Sequence, residues 1–393
     1  MKLGELIEIK HGYAFSGEHI VEDDDGIVLV TPGNFRIGGG FKEEKCKFFD
    51  GEIPADYVLK EGDFIVTMTD LSKTIDTLGY SALVPKSKRI YLHNQRIGLV
   101  TFKSDECDRG YIYWLMRTRE YQRSIANTST GATVHHTSPK KIYDYDLEVP
   151  PLPIQHRIAT ILSRYDSLIE NYQKQIKLLE EAAQRLYKEW FVDLHFPGHE
   201  NTKIVDGVPE GWEKKRLIDL VDVQYGYAFD GKLFNSSGEG MPILRIRNIP
   251  DGITSDYTTE EAQDCYIVHN GDIVVGMDGI FHINSWSGGD AYLVQRACSF
   301  RPKEECMKGF IFQAIQEPIK FFEKTLVGAT VAHLGKKHID SIELCIPKNF
   351  ELYKPFSKFY NQRQGLLSQI RLLTEARDRL LPKLMSGEIN VES

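Results

Sequence analysis

Apolar and polar residues alternate along the chain in an order that occurs twice. Residues 6–9 (Leu-Ile-Glu-Ile) have the alternation of a strand, and Gly62-Asp63 predicts a turn into a second apolar strand. Both units recur in the second half, at residues 220–223 and at Gly271-Asp272. The element order persists while the distance between equivalent residues shrinks, which indicates a duplicated domain whose loops have diverged.

Two short motifs mark the same duplication. Gly-Tyr-Ala-Phe occurs at residues 12–15 and again at 226–229. Gly-Ala-Thr-Val occurs at residues 131–134 and 328–331, in each case with a histidine two residues later. These segments predict loops that have one structural role in both halves.

Each half ends in a stretch with the heptad pattern of a long helix. From Pro153 to Trp190 apolar residues alternate by four and three, with one extra residue after Tyr172, which predicts a helix about 57 Å long at about 1.5 Å per residue. The seam residues are Ile154, Ile158, Ile161, Tyr165, Leu168, Tyr172, Ile176, Leu179, Ala183, Leu186 and Trp190. A single stripe of this kind usually marks a core-facing helix, but its recurrence favours antiparallel pairing within the chain.

The second seam is less regular than the first. Its apolar positions are Phe356, Phe359, Leu366, Ile370, Leu373, Leu380 and Leu384. Arg363 and Arg377 fall on the seam, where we expect them to weaken it, to snorkel or to mark its edge. Pro382 is expected to kink or end the helix near Leu381.

The pattern therefore predicts an α+β protein. Two similar globular domains, at residues 1–150 and 197–349, are separated by two long antiparallel helices, at 151–196 and 350–393. The helices form a coiled coil, and an internal pseudo-two-fold axis relates the halves. The second domain begins with a linker at residues 197–212.

Composition and charge add modest limits. A chain of 393 residues suits two or three domains, and a net charge of −8 argues mildly against binding nucleic acid through bulk charge, although a local basic face would suffice. No apolar run approaches the roughly 20 residues of a membrane span, and no signal-peptide core is apparent, so we expect a cytoplasmic protein without membrane contact. The six cysteines form no CxxC pair, which favours plain thiols in a reducing compartment.

The chain offers little that predicts catalysis. There is no P-loop, HExxH or GxSxG motif, and the glycines at residues 38–40 lack the helix that a cofactor loop requires. Glu8-Ile9-Lys10 has the E-x-K form of some nuclease sites, but the equivalent residues 222–224 (Asp-Val-Gln) lack the lysine. No acidic or cysteine cluster at metal-ligand spacing accompanies His136 or His333, so capping or phosphate contact is favoured over metal binding.

Binding chemistry recurs instead in the loops of both halves. Arginine and asparagine can pair with guanine and adenine edges, while hydroxyls, lysines and main-chain amides suit phosphate contact. The aromatic residues of the Gly-Tyr-Ala-Phe segments either pack in a core or lie on a contact loop. The candidate DNA-binding residues are Tyr13, Asn34, Arg36, Thr133, His136, Lys140, Lys141, Tyr227, Arg245, Arg247, Asn248, Thr330, His333, Lys336 and Lys337.

In their order and duplication, these motifs resemble the specificity subunits of type I restriction–modification systems. The resemblance covers nearly the whole chain and includes Pro-Pro-Leu-Pro-Ile-Gln at residues 150–155 and the ending Leu-Pro-Lys-Leu-Met-Ser-Gly-Glu-Ile at 381–389. Residues 347–350 (Pro-Lys-Asn-Phe) depart from the Pro-Pro-Leu-x-x-Gln form and leave the start of the second helix open.

The resemblance implies a non-catalytic subunit with two target-recognition domains, each for one half of a bipartite, asymmetric target in double-stranded DNA. It also implies that the helices act as a spacer and dock two modification (methyltransferase) subunits, with restriction/translocase subunits in the full complex. No metal or cofactor is expected in this chain; S-adenosylmethionine, ATP and Mg²⁺ would belong to the partner subunits. The alternatives are a two-domain protein-interaction scaffold without DNA specificity, and a nuclease that uses Glu8 and Lys10.

Overall fold

The computed structural model describes residues 1–24, 26–44, 46–72, 74–103, 105–131, 133–325 and 332–391. The chain divides into two compact units. Unit 1 comprises Met1–Ser167 and Glu375–Ser393, and unit 2 comprises Leu168–Thr374. Each unit therefore contains one globular domain together with part of both long helices.

Unit 1 contains two main sheets. The four-stranded antiparallel sheet has the order Ile7–His11, Ile97–Phe102, Phe64–Thr67, Ser81–Leu83. The five-stranded sheet has the order Ile20–Val21, Lys47–Phe49, Ile27–Val30, Ile90–His93, Val58–Leu59. In the second sheet Ile27–Val30 and Ile90–His93 run parallel, so their carboxyl ends lie at one edge. A two-stranded antiparallel sheet pairs Thr69–Asp70 with His135–His136.

Unit 2 repeats both sheets in the same strand order, which confirms the predicted duplication. Its four-stranded sheet has the order Val221–Tyr225, Ala297–Pro302, Ile273–Gly276, Ile283–Ser285. Its five-stranded sheet has the order Phe234–Asn235, Tyr257–Thr258, Met241–Leu244, Ala291–Leu293, Ile267–Val268. Two further two-stranded sheets pair Ile204–Val205 with Val208–Pro209 and Trp212–Arg216 with Glu343–Pro347. The predicted linker is therefore partly built into the sheet structure of unit 2.

The short helices also occur as pairs. In unit 1 they are Leu3–Leu6, Arg109–Leu115, Arg119–Asn127 and Pro139–Tyr143; in unit 2 they are Leu217–Leu220, Lys308–Ala314, Gln316–Thr325 and Lys336–Asp340. The central helix is Leu152–Tyr187, extended by a π-helical turn at Lys188–Val192. The C-terminal helix is Lys354–Met385, and a 3₁₀ turn at Phe350–Tyr353 precedes it. Within the described residues, no helix has the length and apolar character needed to cross a membrane.

Within each unit the two long helices pack in opposite directions. In unit 1, Ile158 and Leu162 of the central helix share a core with Leu381 and Leu384 of the C-terminal helix. In unit 2, Tyr187, near the end of the central helix, packs against Phe356, near the start of the C-terminal helix. The pairing is therefore antiparallel, as the two heptad patterns predict.

The seam differs from the predicted one at two places. Leu168 is 37 % exposed whereas the neighbouring Ile169 is only 8 % exposed, and Leu162 rather than Ile161 is fully buried. The extra residue in the heptad pattern therefore falls earlier than Tyr172. The helix also continues through Pro382 to Met385, so the prediction of an end near Leu381 was wrong. Proline removes one main-chain N–H and crowds the carbonyl group four residues earlier, and the helix tolerates this local loss in its last turn.

Arg363 and Arg377 do not mark an exposed edge. Arg363 is 8 % exposed and its guanidinium lies 2.6 Å from Glu180 of the central helix. Arg377 has a side chain that is 15 % exposed and lies 2.5 Å from Asp166. Burial opposes the charge of Arg377, yet Asp166 and Asp378 raise the pKa of its guanidinium above the ordinary value. Both seam arginines are thus buried ion-pair partners, because a buried charge needs an opposite charge close by.

Candidate nucleic-acid interface

Four segments of unit 1 meet at one edge of the four-stranded sheet, and we call this edge ladder 1. Its main-chain hydrogen bonds run from Tyr13 N to His93 O (2.8 Å), Gln95 N to Tyr13 O (2.9 Å), Met68 N to Arg96 O (2.9 Å) and Thr137 N to Met68 O (3.0 Å). The segments converge because the strand ending at His11, the strand starting at Ile97 and the strand ending at Thr67 are neighbours in the sheet. The ladder therefore holds four loops in a fixed order.

Unit 2 contains the same arrangement, ladder 2. Its hydrogen bonds run from Tyr227 N to Leu293 O (2.9 Å), Gln295 N to Tyr227 O (2.8 Å), Met277 N to Arg296 O (2.8 Å) and Leu334 N to Met277 O (2.7 Å). The four main-chain hydrogen bonds at this edge are thus preserved, although the backbone differs at one residue, because Arg296 has a φ of +73° and Arg96 does not have a positive φ.

The glycine of each Gly-Tyr-Ala-Phe segment is required by this geometry. A Cβ atom on Gly12 would lie 2.1 Å from the carbonyl oxygen of Asn94, and one on Gly226 would lie 2.1 Å from that of Val294. Real side chains do not approach a carbonyl oxygen so closely. The repeated glycine is therefore part of the scaffold, since it lets the two segments of each ladder meet.

The aromatic residues of the same segments divide between core and surface. Phe229 is 6 % exposed, whereas Tyr13 and Tyr227 are 44 % and 36 % exposed. Each tyrosine packs edge-on against the following phenylalanine, with ring centroids 5.1 Å apart for Tyr13–Phe15 and 4.8 Å for Tyr227–Phe229. The sequence left core and contact roles open; the phenylalanine packs inward and the tyrosine presents its ring to solvent.

The two repeated histidines occupy the same position but have different partners. His136 Nδ1 lies 3.1 Å from the hydroxyl of Thr69, and His333 Nδ1 lies 2.5 Å from the carboxylate of Asp278. Both histidines are exposed. Arg296 also bonds Asp278, at 2.7 Å. Ladder 2 therefore carries an Arg–Asp–His cluster where ladder 1 carries a Thr–His pair.

The lysines that follow each histidine lie on short helices. Ser138 caps the helix Pro139–Tyr143 by accepting a hydrogen bond from Lys141 N, and Lys141 Nζ donates to Thr128 O. The remaining candidates of these segments, Thr133, Lys140, Lys336 and Lys337, are exposed. Thr330 lies outside the described residues. The exposed members are available for contact, while Lys141 already has a partner in the chain.

Asn34 and Asn248 each close a local turn, and the predicted base contact stays a prediction for Asn248. The side-chain oxygen of Asn34 accepts a bond from Thr31 N at 2.9 Å, and that of Asn248 accepts one from Arg245 N at 3.0 Å. Asn34 is fully buried and its amide also donates to Lys42 O at 3.2 Å. The side chain of Asn34 cannot reach a base edge in this conformation, because its oxygen and its amide group are both hydrogen-bonded to main-chain groups of the turn.

Arg36 and Arg247 are exposed, Arg245 is half-buried, and all three contact other groups within the chain. Arg36 donates to Glu44 at 3.1 Å, and Arg247 forms a two-pronged bond to Asp256 with a shortest distance of 2.6 Å. Arg245 lies over the ring of Phe234, 5.3 Å from its centroid. The Arg36–Glu44 pair is exposed on both sides and contributes little stability, so Arg36 can exchange its carboxylate for a phosphate or base at small cost. Arg247 is held more firmly, because the side chain of Asp256 is only 16 % exposed.

Two functional candidates were missed by reasoning from the sequence. Arg96 and Arg296 lie on the ladders with exposed side chains, next to Gln95 and Gln295. The repeated Gln-Arg pair was visible as part of the duplication and is the signal that marks them. Asp278 had no such signal, because it has no counterpart of the same type in the first half.

The nuclease alternative gains no support from its candidate lysine. Lys10 Nζ donates to Asp56 O at 2.8 Å and lies over the Tyr57 ring, 4.6 Å from its centroid. Across the described ranges, with their gaps at residues 25, 45, 73, 104, 132 and 326–331, no group of three or more histidine, cysteine, aspartate or glutamate residues is arranged to hold a metal.

Comparison with known proteins places this geometry in a family. The family model described as "Type I restriction modification DNA specificity domain" matches residues 1–181 and again 209–371. Two relatives come from Methanocaldococcus jannaschii. The type I restriction enzyme MjaIX specificity subunit is 27 % identical over 313 residues, which is 72 % of this chain and 69 % of the relative. The MjaVIII specificity subunit is 25 % identical over 315 residues, which is 74 % of this chain and 72 % of the relative.

A solved structure supports the same fold. The S subunit of a type I restriction–modification system from M. genitalium has a TM-score of 0.55 at 17 % identity, with 98 % of this chain and 95 % of that chain covered. The likeness in fold agrees with the two family matches, one for each repeat. The chain belongs to the family of type I restriction–modification DNA specificity domains and carries two of them.

Proposed function

We propose that this chain is the DNA-recognition subunit of a type I restriction–modification complex, and that each unit reads one half of a bipartite target. The observation that carries the proposal is the pair of ladders, which place an exposed tyrosine, arginine and histidine on the same main-chain frame in both units. A frame that is repeated with different side chains suits one task performed on two different sequences.

The exposed groups have the chemistry of DNA contact. Arg96 and Arg296 can pair with guanine or bind phosphate, and the tyrosine rings can pack against sugar or base. The lysines at residues 140, 336 and 337 add phosphate contacts at the ends of short helices. We expect the two half-sites to differ, because Asp278 stands beside the histidine of unit 2 where Thr69 stands in unit 1.

Catalysis is assigned to partner subunits in this proposal. The long helices dock two modification subunits, which bind S-adenosylmethionine, and restriction/translocase subunits bring ATP and Mg²⁺ chemistry to the full complex. The family match to specificity domains supports this division. It also disfavours the alternative of a protein-interaction scaffold without DNA specificity.

Methylation mapping tests the proposal. The complete system would be expressed with the wild-type chain, with Arg96→Ala and with Arg296→Ala, and methylated positions would be mapped across a genome. We expect a bipartite motif for the wild type, and each variant should relax only one half of it. Gln313→Ala, a change at the long-helix side of unit 2, serves as the control that leaves both halves intact.

A single continuous motif, or a motif that does not change with this chain, contradicts the proposal. The nuclease alternative is checked by incubating the isolated chain and Lys10→Ala with DNA and divalent metal. Cleavage that requires Lys10 would establish an enzyme; we expect none.

A further inference from the structure

A buried arginine connects residues 31–42 to the central helix, and we call these residues the first reading loop because they carry the exposed DNA-binding candidate Arg36. Arg117 is 5 % exposed, and its Nε donates to the carbonyl oxygen of Gly38 at 2.9 Å. Its Nη1 donates to Asp166 at 2.6 Å, and the guanidinium lies 4.2 Å from the centroid of Trp114. The loop is therefore joined to a helix carboxylate through a single side chain.

The turn of that loop is packed directly on the same arginine. Gly39 has a φ of +82°, and a Cβ atom there would lie 2.5 Å from Cγ of Arg117. Only glycine combines this backbone conformation with so close an approach. The loop thus rests on the arginine stem as well as on its guanidinium.

Unit 2 makes the equivalent connection with different residues. Arg363 of the C-terminal helix bonds Glu180 at 2.6 Å and donates to the side-chain oxygen of Asn284 at 2.8 Å. The amide of Asn284 then donates to the carbonyl oxygens of Ile249 and Pro250, at 2.8 and 3.0 Å. These two carbonyls belong to the second reading loop (residues 245–252).

The two connections have the same ends although their side chains do not correspond. Arg117 lies in the globular domain, whereas Arg363 lies on the C-terminal helix. In each unit the path runs from a main-chain carbonyl of the reading loop to a carboxylate of the central helix. A guanidinium buried in this way is held firmly, because separation from its carboxylate leaves an unpaired charge. Binding to carbonyl groups leaves the loop side chains unconstrained.

We propose that Arg117 and Arg363, the latter through Asn284, are positioning residues that hold the reading loops in place for sequence discrimination. This inference rests on the proposed function. It assigns each connection to one unit, so that loss of either weakens discrimination in one half-site only. Because the contacts use main-chain groups, the loop side chains can change while the loop position persists.

The experiment measures binding by the complex of the full chain with its modification subunits. Affinities are compared for the cognate duplex and for duplexes with one base pair changed in either half. The variants are Asn284→Ala, which leaves the Arg363–Glu180 pair intact, and Arg117→Lys, which keeps the charge but loses the fork of donors. Asn235→Ala is the matched control, since it removes a 2.9 Å bond to the carbonyl of Glu239, outside the reading loop.

We expect Asn284→Ala and Arg117→Lys each to reduce discrimination at least tenfold, in opposite halves, while the other half of the same duplex keeps its wild-type ratio. The retained half shows that the variant is folded and docked. Equal loss in both halves, or no loss in either, overturns the positioning role. If the wild type itself fails to discriminate in both halves, the proposed function fails with it. Wild-type discrimination with unchanged variants removes only this inference.

Discussion

Ladder 1 and ladder 2 share their main-chain bonds but differ in the partner of the repeated histidine. His136 meets a threonine hydroxyl and His333 meets a carboxylate that also binds Arg296. The frame depends on main-chain hydrogen bonds and on two glycines, none of which fixes the identity of exposed side chains. The two copies of the domain therefore keep the same main-chain hydrogen bonds while the exposed side chains on them differ.

The buried charges near the long helices differ in a second way. In unit 1 one carboxylate, Asp166, receives two arginines, Arg117 and Arg377. In unit 2 one arginine, Arg363, meets Glu180, whose side chain is 44 % exposed. In unit 1 two arginines therefore share one carboxylate, whereas in unit 2 Glu180 and Asn284 share one guanidinium.

The largest effect should come from the shared carboxylate. Asp166→Asn leaves the buried guanidinium of Arg117 without a negative partner and leaves Arg377 only the exposed Asp378, and we expect it to lower the free energy of unfolding by about 3 kcal/mol. Glu180→Gln should cost less, about 1–2 kcal/mol, since Arg363 is buried but water can partly replace a carboxylate that is 44 % exposed. Chemical denaturation of both variants measures the difference.

Asp378→Asn is the control for that comparison. Asp378 also pairs with Arg377, but its side chain is 57 % exposed, so a loss of less than about 1 kcal/mol is expected. Equal costs for Asp166→Asn and Glu180→Gln would show that the two units anchor their helices alike.

The next largest effect on stability should come from alanine at one of two equivalent glycines, Gly309 and Gly110. A Cβ on Gly309 would lie 2.1 Å from the main-chain oxygen of Phe356, whereas one on Gly110 would lie 3.0 Å from Cβ of Ala159. Gly309→Ala should destabilise by about 2 kcal/mol, because a main-chain oxygen cannot move aside. Gly110→Ala should change stability by less than about 1 kcal/mol, since helix propensity offsets the tighter contact.

Gly365→Ala supplies the reference for helix propensity. No atom lies within 4 Å of a Cβ built on Gly365, so alanine should stabilise the C-terminal helix by about 0.5–1 kcal/mol. Thermal unfolding of the three variants gives the ranking. If Gly309→Ala matched Gly365→Ala, the close approach of Lys308–Ala314 to the C-terminal helix would be refuted.

A smaller effect should follow from exchanging the histidine partners. Thr69→Asp places a carboxylate beside His136, as Asp278 lies beside His333, and should lower DNA affinity roughly tenfold and reduce the salt slope by about 1. Asp278→Thr frees Arg296 and should do the opposite. Binding of the assembled complex to cognate duplex across a salt series measures both. Slopes that stay at the wild-type value in both variants would place the ladders away from phosphate.

The smallest effect concerns acid sensitivity of unit 1. Burial raises the pKa of Asp70, but hydrogen bonds from Ser72 and Thr77 outweigh it and hold the pKa below the ordinary value. The stability that Asp70 contributes is therefore present at neutral pH and is lost as the pH falls through its lowered pKa. Wild type should exceed Asp70→Asn in stability at pH 6, and the gap should narrow toward pH 3 by less than about 1 kcal/mol.

Unit 2 has no carboxylate at the equivalent position, because Gly279 stands there in place of Asp70. This pH dependence is therefore expected in unit 1 and not at the equivalent position of unit 2. Denaturation curves at several pH values, with amide exchange at Thr77 and Leu78, localise the change. A gap between wild type and Asp70→Asn that does not depend on pH would mean that the hydrogen bonds do not favour the charged form.

Repetition and periodicity made the fold predictable from the sequence. The duplicated strands and both long helices follow from local patterns. The shared strand order and the inward turn of Phe229 required long-range pairing that no local pattern encodes.

The candidate site was predictable only in part, because residue type does not reveal burial. Asn34 has the chemistry of a base reader and the position of a turn cap. Arg363 was recognised as a break in the heptad pattern, but its partner Glu180 lies 183 residues away along the chain. Arg117 carried no signal at all, since nothing near it in sequence indicates a loop carbonyl or a helix carboxylate as its partner.

The bond between Arg117 and Asp166 has a consequence for genetic exchange between related sequences. A crossover near residue 150 would bring in a new globular domain while retaining the resident Asp166 on the central helix. The incoming domain then needs an arginine in the place of Arg117, or the carboxylate keeps only Arg377. A crossover beyond Ser167 transfers the arginine and the aspartate together. An incoming domain then keeps its own Arg117–Asp166 ion pair.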